Sequence, residues 1–236
     1  MKKILVFVCV ALLSQVFADD LKIAVGAGYK KPVQEVLKAY KESHANVEAV
    51  YGNMAQIFAQ AKQMEIALVI ADKKFLEKQK ELSFVKYLDI GVGRAVIAYA
   101  KGVSFPTIET LKSDSVKSIA MPETKKAIYG DAGMEFLLKS KLYESVKEKL
   151  IIVATVPQVS SYVTTHEVDV GIINLTAALD SGDKIGGYLE IPQEYYTKIE
   201  IVAGSLAACN ENKECQSFLA FLQTPQAREI FTKYGL

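Results

Sequence analysis

Tryptophan is missing from the 236-residue chain, and histidine occurs only twice, at His44 and His166. A Ser–His–Asp device or a histidine-rich metal centre would need one of them. Neither lies in a nucleophile motif or at ligand spacing from a cysteine. No repeat of fixed period and no low-complexity linker breaks the chain. Charge of one sign is not in excess: 28 basic residues stand against 27 acidic ones. That balance excludes a general nucleic-acid surface, so any anion chemistry has to be local. Nothing in the chain marks a cofactor loop or a catalytic set, and neither an enzyme nor a resident cofactor is expected.

Long apolar runs are scarce as well. "ILVFVCVALL" follows the basic "MKK" and is ten residues long, too short for a mature membrane span. "SQVFA" then places Val16 and Ala18 at the −3 and −1 positions. The pattern is that of a secretory signal peptide, residues 1–18, cleaved after Ala18; a short membrane anchor is the rival reading. Cys9 lacks the small preceding residues of a lipid-attachment signal. Without Lys2 and Lys3 the balance becomes 26 basic to 27 acidic. The two remaining cysteines, Cys209 and Cys215 in "ACNENKEC", are an even count in an exported chain. They favour a disulfide closing a small polar loop over a metal pair.

What the sequence does hold is alternation. "LKIAV" (21–25), "NVEAVY" (46–51), "ALVIA" (67–71), "RAVIAYA" (94–100), "SIAMP" (118–122), "KLIIVAT" (149–155), "VDVGIIN" (168–174), "GGYLEIP" (186–192) and "KIEIVAGSL" (198–206) read as strands. Helical stretches lie between the earlier ones, and two helices close the chain. Repeated βα units predict an α/β fold with mostly parallel sheets flanked by helices. They fall into two sets, which predicts two lobes joined by two hinge crossings. Lobe I takes residues 19–97 and 199–236, and lobe II takes 98–198. Ligands of such sheets sit at the carboxyl ends of strands, and a cleft between lobes favours small molecules.

Five strand-to-helix joints face that cleft. "GAGYKK" (26–31) opens a helix whose first N–H groups suit an anion. It lacks the Gly-Lys-Ser/Thr ending of a phosphate loop and the third glycine of a dinucleotide fingerprint, so a plain tight turn is the competing reading. "YGNMAQ" (51–56) is either a second such wall or an ordinary cap by Asn53. "PETKKAIYGDAG" (122–133) brings Lys125 and Lys126, either toward the cleft or as a solvated pair. "TVPQ" (155–158) and "GIINLT" (171–176) complete the set.

Taken together, the chain resembles the periplasmic molybdate-binding proteins of ABC transporters, a type II substrate-binding family. The resemblance runs along most of the chain after residue 18. "LAFLQTPQAREIFTKYGL", "AIYGDAGMEFL", "EVDVGIINLTAAL" and "VIADKKFLEK" carry it. It implies a periplasmic monomer that captures a tetrahedral oxyanion, molybdate or tungstate, and delivers it to a membrane permease. Other small anions, of phosphate, sulfate or carboxylate type, and a surface adhesin reusing the fold are the alternatives. In that family backbone N–H groups, two serine hydroxyls and a tyrosine hydroxyl hold the oxyanion without a free metal cation. The first serine falls on Gly28, and the second on Met54 or Asn53. The next two backbone donors fall on Lys126 and Val156, and the tyrosine falls on Asn174. None of the three hydroxyls is kept. Gly28, Met54, Lys126 and Val156 still carry an N–H, Asn174 can donate through its amide, and Lys126 adds a positive charge.

Overall fold

The structure is a computed structural model that describes residues 21–44 and 46–236. The expected signal peptide and its cleavage site lie outside the described residues. Among the described residues no helix is long and apolar enough to cross a membrane.

Among the described residues ten strands form two five-stranded sheets. In order they are β1 (Leu21–Gly26), β2 (Val47–Gly52), β3 (Ile66–Asp72), β4 (Phe84–Gly93), β5 (Ala95–Tyr99), β6 (Ile119–Pro122), β7 (Leu150–Val153), β8 (Val170–Asn174), β9 (Gly187–Glu190) and β10 (Ile199–Leu206). The helices are α1 (Lys30–Lys41), α2 (Met54–Gln63), α3 (Lys73–Lys78), α4 (Ile128–Lys139), α5 (Tyr143–Val146), α6 (Val156–Thr164), α7 (Leu175–Ser181), α8 (Ala208–Glu211), α9 (Lys213–Phe221) and α10 (Pro225–Lys233).

The first sheet has the order β2-β1-β3-β10-β4 and the second β7-β6-β8-β5-β9. In each, three strands are parallel, and two more extend the sheet by antiparallel pairing. The sheets are therefore mixed where the βα repeat alone predicts mostly parallel ones. All seven residues of β3 are buried. Helices on both faces of the sheet make this the favourable place for its unbroken apolar run. On α1, Val33, Val36 and Tyr40 share the buried face.

The chain passes from the first sheet to the second at Arg94, between β4 and β5, and returns between β9 and β10. The lobe boundary expected at 97/98 falls inside β5, because that strand pairs with β8 and β9 alone. The C-terminal segment returns to the first sheet's side: Lys233 Nζ lies 2.9 Å from Glu35, and the Tyr234 hydroxyl donates to Glu35 at 2.9 Å.

Cys209 and Cys215 are joined by a disulfide and fully buried. It closes a short loop between α8 and the start of α9. Chain-entropy arguments give such a loop about 2 kcal/mol. Replacing both cysteines with serine is expected to lower the melting temperature by about 4–8 °C. A melting curve unchanged by the double substitution would show that the loop is held without it.

Candidate functional site

Four strand-to-helix joints meet between the two sheets. β1 runs into α1 through a 3-10 turn at Ala27–Tyr29, and β2 runs into α2 at Asn53. From the second sheet, β6 leads through a turn to α4, and β7 leads to α6 through Thr155. Each helix presents first-turn N–H groups that its own geometry leaves without an acceptor. The cavity they enclose is about 30 Å³, room for very few water-sized spheres. Residues 26–29, 52–54, 127–129, 155 and 156 line it, and none carries a formal charge.

The joints are held rigid by matched caps. Asn53 Oδ1 accepts from Gln56 N at 3.0 Å, and Gln56 Oε1 accepts from Asn53 N at 2.9 Å. That is a full capping box. Across the cleft, Thr155 Oγ1 accepts from Gln158 N at 3.4 Å, and Gln158 Oε1 accepts from Ala154 N at 2.9 Å. Both caps fix where their helices begin beside the cavity.

Of the residues singled out in the sequence, Gly28, Asn53, Met54 and Val156 line the cavity. Lys126 does not. It is exposed, and it lies in a turn that consumes N–H groups before α4 begins. Its own N–H and that of Ala127 donate to Glu123 O at 3.4 and 3.0 Å. Its carbonyl crosses the cleft to accept from Met54 N at 2.7 Å. The positive charge expected from Lys126 is absent from the lining.

Asn174 is buried, but it stands beside the cavity rather than in its lining. Its Oδ1 caps α7 by accepting from Ala177 N at 3.3 Å, and its Nδ2 donates to Gly28 O at 2.9 Å. A β-carbon on residue 28 would lie 3.1 Å from that Nδ2. Glycine at 28 and asparagine at 174 thus fit each other, and a larger side chain at 28 would crowd the bond.

Two further residues of the site were not singled out. The Tyr29 and Tyr129 hydroxyls meet at 2.7 Å, one from each side of the cleft, and both side chains are buried. Burial pushes both phenols well above the usual tyrosine range; Tyr129 raises Tyr29 further, while the bond with Tyr29 only partly offsets the rise at Tyr129, so both remain neutral.

Among the described residues no group of three or more histidine, cysteine or acidic side chains could hold a metal ion. Uncharged donors around a small cavity between two α/β sheets can hold a compact solute by hydrogen bonds and helix dipoles. Residues 21–236 match the bacterial extracellular solute-binding protein family, and the chain belongs to it. It is 26% identical over 226 residues to the molybdate-binding protein ModA of Azotobacter vinelandii, spanning 92% of this chain and 90% of that relative. The solved periplasmic molybdate-binding protein of the same organism superposes with a TM-score of 0.82 at 20% identity, covering 92% of this chain and 98% of that one. PEB3 of Campylobacter jejuni with L-phospholactate bound gives 0.73 at 18%, with 92% and 98% covered.

Proposed function

We propose that the protein is an exported, monomeric binding protein, cleaved after Ala18, that captures a tetrahedral oxyanion between its two sheets and passes it to an ABC transporter permease. Molybdate or tungstate is the leading ligand. The observation that carries this reading is the convergence of four helix N-termini on one small, uncharged cavity. Neutral N–H groups can hold an oxyanion through charge-assisted hydrogen bonds without a cation. The two lobes move about the crossings at Arg94 and near Lys198, closing over the solute by hinge motion. Gly28, Tyr29, Ile128, Tyr129 and Val156 supply first-turn donors. Asn53 and Asn174 hold the walls.

A thermal-shift panel tests it, with molybdate, tungstate, sulfate, phosphate and small organic acids. A ligand at a hundred times its dissociation constant adds about 2.7 kcal/mol of stability. In a chain of this size that raises the melting temperature by several degrees. Shifts with molybdate or tungstate are expected. Phosphate and phospholactate belong in the panel because PEB3 is described with the latter. A panel without any shift would reject the oxyanion reading and favour an adhesin that reuses the fold.

A further inference from the structure

The Tyr29 and Tyr129 hydroxyls meet against the chain where it crosses between the sheets. Gly93 ends β4, and the chain leaves the first sheet at the next residue, Arg94. Gly93 also pairs with Ile199, the first residue of β10 after the return crossing. The two crossings therefore start side by side. A β-carbon built on Gly93 would lie 2.3 Å from the Tyr129 hydroxyl oxygen and 3.0 Å from that of Tyr29. No positive φ calls for glycine at this position. The space is already taken by the two hydroxyls and by Ile199 Cγ2, 2.8 Å from the same point. Past Arg94 the Tyr196 hydroxyl accepts from Ala95 N at 3.2 Å, so the crossing is also held where the second sheet begins.

The two tyrosines come from different lobes. Tyr29 ends the 3-10 turn after β1, and Tyr129 lies in the first turn of α4. Both residues line the first cavity. A single bond of 2.7 Å thus joins two residues of the cavity wall, one from each lobe, at the crossing. Such a contact is no longer a hydrogen bond at about 3.6 Å, so a parting of about 1 Å at this point ends it.

Resting on the oxyanion capture and hinge closure read above, we propose that Tyr29 and Tyr129 are positioning residues whose hydroxyl bond is the catch of the closed cleft. In this role the hydroxyls need no contact with the solute. They fix how closely the β1–α1 joint approaches the first turn of α4, and with it the spacing of the N–H groups that the two lobes present. Losing the catch costs the closed, occupied form alone, because in an opened cleft water serves both hydroxyls.

Tyr29→Phe, Tyr129→Phe and the double variant test this. Phenylalanine keeps each ring and each backbone N–H and removes only the hydroxyl. Isothermal titration with molybdate, tungstate, sulfate and phosphate gives the affinities, and urea midpoints measured without solute give the stability. For the oxyanions that the parent binds, each single substitution is expected to weaken binding about fivefold, the worth of one hydrogen bond. The double variant should bind no more weakly than either single one, since there is one bond to lose and no hydroxyl is left unpaired. The urea midpoints should stay at the parent's value. Additive losses, about twenty-five-fold in the double variant, would mean that each hydroxyl serves the solute by itself, and the catch is rejected. Unchanged affinity rejects it too, and lowered midpoints beside it would show a bond that persists in both arrangements. If the parent binds none of the four oxyanions, the oxyanion reading itself falls, and the catch has no solute to hold.

Discussion

Gly130→Ala is expected to destabilise the protein by about 3 kcal/mol and to weaken oxyanion binding more than tenfold. A β-carbon at residue 130 would lie 2.4 Å from Glu123 O and 2.5 Å from Pro122 O. Both are backbone atoms, so no side-chain rotation relieves the clash. Either β6's end or α4's first turn has to move. That turn carries the N–H groups of Ile128 and Tyr129, which point at the cavity. The stability loss and the binding loss therefore have one cause. Gly133→Ala is the control on the same helix. Its β-carbon would meet Ile172 Cγ2 at 3.0 Å and Met121 Cε at 3.2 Å, side-chain atoms at longer range than the backbone clash at 130, and the methionine end can give way. Denaturation curves should place Gly130→Ala about 6–12 °C below the parent, with Gly133→Ala much closer to it. A Gly130→Ala protein that melts with the parent would show that the joint tolerates what the geometry forbids.

That joint also shows how far the sequence could be read. Nine of the ten strands stand out as apolar runs bounded by turn residues, because core strands cannot hide their hydrophobicity. β4 does not. Its residues alternate poorly, with Lys86 and Asp89 among them and glycines at 91 and 93, and five of the ten are half-buried and four exposed. It exists as a strand because β10 pairs along its length, which is a tertiary cause with no local signature. The same limit governs the site. Gly28, Asn53, Met54 and Val156 could be placed because the family resemblance falls on joints where a strand pattern gives way to a helix pattern. Lys126, placed by the same resemblance, lies in the turn before α4 and turns its carbonyl across the cleft, a matter of hydrogen bonding that no sequence pattern resolves. The Tyr29–Tyr129 pair spans a hundred residues. Only the sheet topology brings it together.

The second large effect lies at the return crossing, in a cluster that no motif announced. Glu135 on α4 accepts from Thr197 N at 2.7 Å and from the Thr197 hydroxyl, and it pairs with Lys74 of α3 and Lys139. It thereby ties a helix of the second sheet to a helix of the first and to the crossing chain. Burial alone would raise its carboxyl, but the bonds from Thr197, Lys139 and Lys74 outweigh that and hold it at about 2, against an ordinary 4.5. The unfolded chain takes up this proton first as the pH falls. The contribution of Glu135 is therefore complete above about 4.5 and is lost as the pH drops toward 2. Solvent screening of a partly exposed group limits the proton-linked part to about 1–2 kcal/mol.

Asp72 works the other way. Burial pushes it up to about 6 from 3.8, although Phe75 N and Glu200 N donate to it. Here the folded chain binds its proton first, so stability rises as the pH falls from about 6 to about 4. The two groups predict a maximum near pH 4–5 in urea midpoints measured from pH 3 to 8. Asp72→Asn should flatten the upper limb. Glu135→Gln should remove the acid limb, and Glu135→Ala should cost about 1–2 kcal/mol at pH 7, since water can replace the carboxylate at the exposed Thr197 N–H. An acid limb that persists undiminished in Glu135→Gln would mean other carboxylates hold the crossing. The clamp would then have to be sought outside the Lys74–Glu135–Thr197 cluster.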